Sequence, residues 1–252
     1  MTRSVGAIVL GLVPLAMAAC SEGTMPSSET NSNADSLRII RGEPVEEGKY
    51  PWMIYANGCS ASLISSSYVL MAAHCFGDQR NDDGTLEGVV VTSAPVGFGH
   101  PDLESPQMTT HEVAAVHLHP GYLPLTEDET WGLEPYDVAL LELTDPILLP
   151  QYIHLPTRDP VPDEALIAAG WGLTARGPTT ILQETELVVA DDGDCYHADD
   201  DLRFCTLGNE TNSNIGSGDS GGPVFVLDGD GFMVCRRRPG GAGICARVGN
   251  SA

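Results

Sequence analysis

The feature that most limits what this chain can fold into is the shortness of its apolar runs. WMIYA (52–56), SASLI (60–64), YVLMA (68–72), GVVVTSAPVGFG (88–99), HEVAAVHLH (111–119), DVALLEL (137–143), ALIAAGWG (165–172), ETELVVA (184–190) and GPVFVL (222–227) are β-type runs punctuated by Gly, Ser, Asn and Pro. No stretch of the body carries a sustained helical period. Many short strands with turns between them predict an all-β barrel or sandwich. The composition agrees: 252 residues, 42% apolar, with 28 Gly and 18 Pro, suit a turn-rich globular body able to bury a core. The Pro-rich stretch 146–162 is the best candidate for a boundary between two halves, and there is no solenoid repeat.

Charge and the N-terminus set the cellular context. A formal net charge of −23 opposes binding to nucleic acid, whose phosphates it would repel. The first residues, MTRSVGAIVLGLVPLAMAAC, place Arg3 before an apolar stretch from Val5 to Ala19 that Pro14 interrupts. That stretch is short for a membrane span and fits a secretory signal over 1–19. LAMAAC resembles the bacterial lipobox, with Met17 where that pattern prefers Leu, and Cys20 would then carry lipid. Ordinary cleavage after Ala18 is the other reading. Residues 20–38 read as lipidated cysteine, flexible polar linker and propeptide, and 39–252 as the folded body. The protein is thus expected to be exported, anchored by lipid at a bacterial envelope or released, with no membrane contact besides the lipid.

Three pieces carry chemistry: AAHC with His74, DVALL with Asp137, and GSGDSGGP with Ser220. Taken singly, a His beside Cys is more often structural, an Asp before a strand is more often a turn residue, and a Ser among glycines is more often a loop. GDSGGP is harder to explain as a plain turn. Together they suit nucleophilic catalysis. A serine hydroxyl needs a base within hydrogen-bond reach. A histidine can be that base, and a carboxylate holds its tautomer and stabilises its cation. The glycines let the N–H groups of Gly218 and Ser220 point at one spot where an oxyanion develops.

With these residues in hand, the chain resembles the chymotrypsin-like, trypsin-fold serine proteases. RIIRG resembles the activation site, YPWM the first strand, and CSASLISSSYVLMAAHC the segment around the histidine. VHLHPGY, DVALLEL, AGWG and GSGDSGGPV follow in the family's order, from about Arg38 to about Val226. The resemblance implies two six-stranded antiparallel β-barrels, about 51–145 and 155–252, with the site between them. It implies His74 as base and acid, Asp137 as its orienter and Ser220 as nucleophile. Asp219 would pair with the amine of Ile39, freed by cleavage after Arg38, so that the chain is a zymogen needing an activating protease. It also implies disulfides Cys59–Cys75 and Cys195–Cys205. Where the family has a cysteine four residues before the nucleophile, this chain has Gly216, which leaves the pairing of Cys235 with Cys245 open. The specificity pocket floor falls on Asn214, a neutral residue, so a strong preference for Lys or Arg is not expected.

One stretch departs from the pattern. CRRRPGGAGI (235–244) stands where the family runs a strand that binds substrate backbone, and the family's last strand and C-terminal helix are not recognisable after CARVGN. Three readings are open for Arg236, Arg237 and Arg238: a divergent solvated loop, a basic patch that accepts acidic side chains, or a local reading-frame slip, which the coding DNA would decide. The acidic run DDGDCYHADDD (191–201) reads as a solvated loop rather than a calcium site. His117 and His119 share a strand face, but no third metal ligand is apparent; no cofactor is expected. The functional expectation is a monomeric serine endopeptidase acting on proteins or peptides through an acyl-enzyme. The alternative is a protease-fold binding protein impaired by its C-terminal departure.

Overall fold

The computed structural model of the chain describes residues 42–76, 89–90, 95–122, 136–191, 203–208, 214–226, 231–232, 235–237 and 243–246, with backbone alone for 89–90, 203 and everything from 231 onward. The leader, Cys20, the linker, Arg38, Ile39, Cys195, Arg238 and most of the acidic run lie outside these residues. Among the described residues there is no α-helix; the single helical turn is a 3₁₀ turn at Ala73–Phe76.

Two antiparallel sheets form the body, as the two-barrel architecture requires. The first contains β2 (Met53–Ala56), β3 (Cys59–Leu63), β4 (Tyr68–Met71), β5 (Val89–Val90), β6 (Val96–Phe98), β7 (Thr109–His111), β8 (Val113–Leu118) and β9 (Ala139–Leu143), in the order β5-β8-β9-β4-β3-β2-β6-β7. The hairpin of β2 and β3 turns on Asn57 and Gly58, both at positive φ (50° and 79°), the two-residue geometry for which Asn-Gly is suited. The second sheet contains β10 (Ala165–Gly170), β11 (Gln183–Val189), β12 (Arg203–Gly208), β13 (Val224–Phe225), β14 (Gly231–Phe232), β15 (Cys235–Arg237) and β16 (Gly243–Ala246), and β1 (Glu43–Pro44) adds to it beside β11. Among the described residues each sheet thus counts eight strand segments, where six per barrel are expected. Part of the excess is segmentation: β7 and β8 are separated by Glu112 alone, and β1 reaches in from ahead of the first sheet. The unusual stretch enters as β15, whose backbone pairs with β16 so that Cys235 stands opposite Cys245.

Side-chain alternation explains which faces are buried. Along β11 the buried positions are Gln183, Thr185, Leu187 and Val189, the period of two that puts one face inward. Burying side chains such as Leu187, Leu166 and Val224 contributes about 1.5–3 kcal/mol each, which holds the second core together. β3 departs from this: all five of its residues are buried. Its Cys-Ser-Ala-Ser-Leu sequence looks half exposed, yet the serine face is covered by the chain around Ser220, beginning with the bond from Ser60 N–H to the Ser220 carbonyl (3.0 Å).

The seam between the sheets positions the site. Tyr50, Trp52 and Phe225 meet with ring centroids 5.0–6.0 Å apart. Trp171 Nε1–H donates to the Pro101 carbonyl at 2.8 Å, and Val45 N–H to the Leu182 carbonyl at 2.9 Å. Glu184 on β11 accepts from Lys49 at 2.5 and 2.7 Å and from the Tyr50 phenol. Burial, with the Glu184 carboxylate second, pushes the Tyr50 hydroxyl well above the usual phenol range, so it stays a donor. These contacts tie the segment leading into the first sheet to the second.

Candidate active site

His74 is in the 3₁₀ turn that follows β4, and Asp137 lies two residues before β9, the strand paired with β4. The pairing of Met71 with Ala139 brings the two ends together. The result is a double hydrogen bond: His74 N–H donates to Asp137 Oδ1 at 2.8 Å, and His74 Nδ1 lies 2.6 Å from Asp137 Oδ2. A carboxylate can only accept, so Nδ1 carries the proton and Nε2 is the basic nitrogen of the ring. Both side chains are mostly buried, 17% and 12% exposed, which strengthens the pairing.

Two further contacts fix this arrangement. Cys59 and Cys75 form a disulfide, tying the start of β3 to the residue after His74; the cluster of Cys59, His74 and Cys75 therefore offers no thiolates to a metal. Tyr136, at a positive φ of 54°, stacks flat on His119 with centroids 4.6 Å apart. Its ring lies where a side chain at Gly121 would stand. The backbone entering Asp137 is thereby clamped. His119 Nδ1 also accepts from Gly121 N–H at 3.1 Å, and His117 pairs with Glu142 at 3.2 Å, so both histidines are used structurally.

Ser220 arrives on the loop 214–222. Ser60 N–H holds its carbonyl, and Gly221, at φ +79°, packs so closely that a Cβ there would come within 2.4 Å of the Ser60 carbonyl and 3.1 Å of Ala72 N. Ala72 is two residues before His74, so the loop lies against the segment that carries the base. The Ser220 hydroxyl makes no hydrogen bond to a described residue; such bonds are often long without substrate and tighten on binding. The N–H groups of Gly218 and Ser220 have no acceptor among the described residues, which leaves two donors for an incoming oxygen.

Asp219 points the other way, into the protein. It is 3% exposed and accepts from Gly172 N–H and Gly216 N–H, both at 2.8 Å. A Cβ at Gly170 or Gly172 would fall 2.2–2.4 Å from its carboxyl group, which is why AGWG needs both glycines. Burial pushes Asp219 from its ordinary 3.8 up to about 7; the two N–H bonds oppose the rise but do not cancel it. No cation faces it among the described residues. Asn214 is buried, with its Oδ1 accepting from Ile215 N–H at 2.9 Å. Cys205 is disulfide-bonded; Cys195, its expected partner, lies outside the described residues.

Residues 39–247 match the family described as Trypsin. The chain is 29% identical over 209 residues to Transmembrane protease serine 11G of Mus musculus, covering 76% of this chain and 46% of that protein. It is 30% identical over 224 residues to Phenoloxidase-activating factor 3 of Holotrichia diomphalia, covering 78% and 62%. With Serine protease SSP1 of Scolopendra subspinipes it shares 30% over 258 residues, covering 92% and 82%. The chain thus spans about half to two thirds of the first two relatives. Among solved structures, mouse neuropsin superposes with a TM-score of 0.67 at 20% identity, covering 83% of this chain and 94% of that one. A mutant of human heparin binding protein gives 0.65 at 20%, covering 83% and 91%.

Proposed function

From a chain that belongs to the trypsin family, we propose a secreted serine endopeptidase, made as a zymogen, that hydrolyses peptide bonds through an acyl-enzyme. The double hydrogen bond from His74 to Asp137, beside the loop of Ser220, carries this reading. His74 Nε2 takes the Ser220 proton as the hydroxyl attacks a peptide carbonyl, and Asp137 steadies the imidazolium. The N–H groups of Gly218 and Ser220 receive the oxyanion. His74 returns the proton to the departing amine, and water, activated by the same base, releases the acyl group.

Asp219 supplies the zymogen logic. The buried Asp219 carboxyl, pushed up to about 7, faces no cation among the described residues. Cleavage after Arg38 frees the amine of Ile39, whose charge would stabilise the carboxylate and draw its pKa back down. Asn214 at the pocket floor presents no charge, so basic residues at the cleavage site gain no ion pair there, and activation at Arg38 falls to another protease. Cys195 with Cys205 would close the second disulfide. The leader delivers the chain across a membrane, with Cys20 as the lipid attachment and the folded body acting on protein or peptide substrates as a monomer.

The test is direct. The chain is cleaved after Arg38 and incubated with a mixed peptide library, and the products are read by mass spectrometry. Ser220-dependent cleavage that Ser220→Ala abolishes, with no enrichment for Lys or Arg, fits the reading. Intact peptides after complete activation would leave a protease fold that binds rather than cuts.

A further inference from the structure

We propose that the hydroxyl of Ser60 is a positioning group for the reaction, locking the peptide that links the two oxyanion donors; this rests on the reading of Ser220 as nucleophile. Ser60 lies on β3, in the first sheet, and is fully buried. Three of its bonds cross to the second half. Its N–H donates to the Ser220 carbonyl at 3.0 Å. Its Oγ–H donates to the Gly218 carbonyl at 3.1 Å, and its Oγ accepts from Trp171 N–H at 3.0 Å.

The direction of these bonds is fixed by chemistry. A hydroxyl has one proton. Trp171 N–H can only donate, so it takes a lone pair of the Oγ; the Gly218 carbonyl can only accept, so it takes the proton. No other orientation satisfies both buried partners, and the hydroxyl has no rotational freedom left.

The consequence lies in the loop's peptide order. The donor of Gly218 belongs to peptide 217–218 and that of Ser220 to peptide 219–220. Peptide 218–219 joins them, and its plane sets the angle between the two N–H vectors. Gly218 is at φ +93°, with no side chain to hold it. The N–H end of the linking peptide has only a 3.2 Å bond, from Asp219 to the Gly216 carbonyl. The carbonyl end is held by Ser60. The same residue grips the carbonyl of Ser220, so both flanks of peptide 219–220 are pinned from one strand position. Two convergent donors stabilise an oxyanion only when preorganised. Ser60 is what preorganises them.

The experiment compares the activated wild-type protein with Ser60→Ala on one peptide substrate, well below the melting temperature of both. Removing an oxyanion donor itself costs about 10²–10³-fold in kcat; losing its positioning group is expected to cost roughly 5- to 50-fold, with KM within about twofold. Affinity for a peptidyl boronate, whose tetrahedral adduct fills the oxyanion site, should fall in proportion to kcat, while affinity for a non-covalent product peptide should not change. A kcat within twofold of wild type, or boronate and product affinities falling together, overturns the proposal. If Ser60→Ala fails to fold, Ser60→Gly, which also removes the hydroxyl and adds no atoms at this buried position, takes its place, and an unchanged kcat there refutes it equally. A wild-type protein without hydrolysis would instead sink the protease reading, so the two failures are told apart.

Discussion

Asp219 should make the uncleaved chain lose stability as pH rises through neutrality. Its carboxyl titrates near 3.8 when unfolded and is pushed up to about 7 when folded. The folded state therefore binds more protons between these values, and the contribution is fully present below about 4 and lost as pH rises through about 7. At 1.36 kcal/mol per unit, the change from pH 5 to 8 is on the order of 2–3 kcal/mol. For a domain of this size that corresponds to roughly 5–10 °C in Tm. The assay is thermal unfolding of the intact Ser220→Ala protein from pH 5 to 8.5, with and without Asp219→Asn. Asparagine cannot titrate, so the double variant should lack this component whatever its baseline. On the proposed pairing with the Ile39 amine, cleavage after Arg38 should also remove it, because that charge would keep the carboxylate ionised at low cost. Equal pH slopes in the single and double variants would refute the argument that an unpaired carboxylate is buried there.

Other outcomes follow from the same geometry. Asp137→Asn should lower kcat by roughly 10⁴-fold with little change in KM, since asparagine's N–H favours the wrong imidazole tautomer; steady-state kinetics check this. Replacing Cys59 and Cys75 by alanine frees a link with a sequence separation of 16 and should cost about 3 kcal/mol in denaturant unfolding. Gly172→Ala puts a methyl group 2.4 Å from the Asp219 carboxyl, and should both lower Tm and abolish hydrolysis by displacing the loop. Leu166→Ala, at a fully buried site in the second core, should cost about 2–5 kcal/mol without altering KM.

The parts of this protein that could be read in advance are those where local sequence carries the constraint. Short apolar runs broken by turn residues point to the β class, and His74, Asp137 and Ser220 lie in stretches whose residue types already restrict their chemistry. AGWG was legible as a motif, but its reason was not: the space emptied at Gly170 and Gly172 is filled by Asp219, about fifty residues further along. Ser60 was hidden for the same reason. In CSASL its serine looks like the polar face of an edge strand, and only the folded loop shows that this face is buried. Sequence shows that His117 and His119 lack a third metal ligand, but not what His119 does instead: its ring stacks on Tyr136, a contact that spacing cannot reveal. The arginines at 236 and 237 sit on β15 opposite β16, a register that no local rule predicts from a stretch so unlike its surroundings.

The account turns on His74, Asp137 and Ser220 acting as one unit, and covalent mapping with a fluorophosphonate tests that most directly. After cleavage at Arg38, the account predicts a single adduct on the peptide containing Ser220, abolished in Ser220→Ala and slowed by orders of magnitude in His74→Ala. Labelling of wild type and His74→Ala at the same rate, or an adduct on another serine, would contradict it.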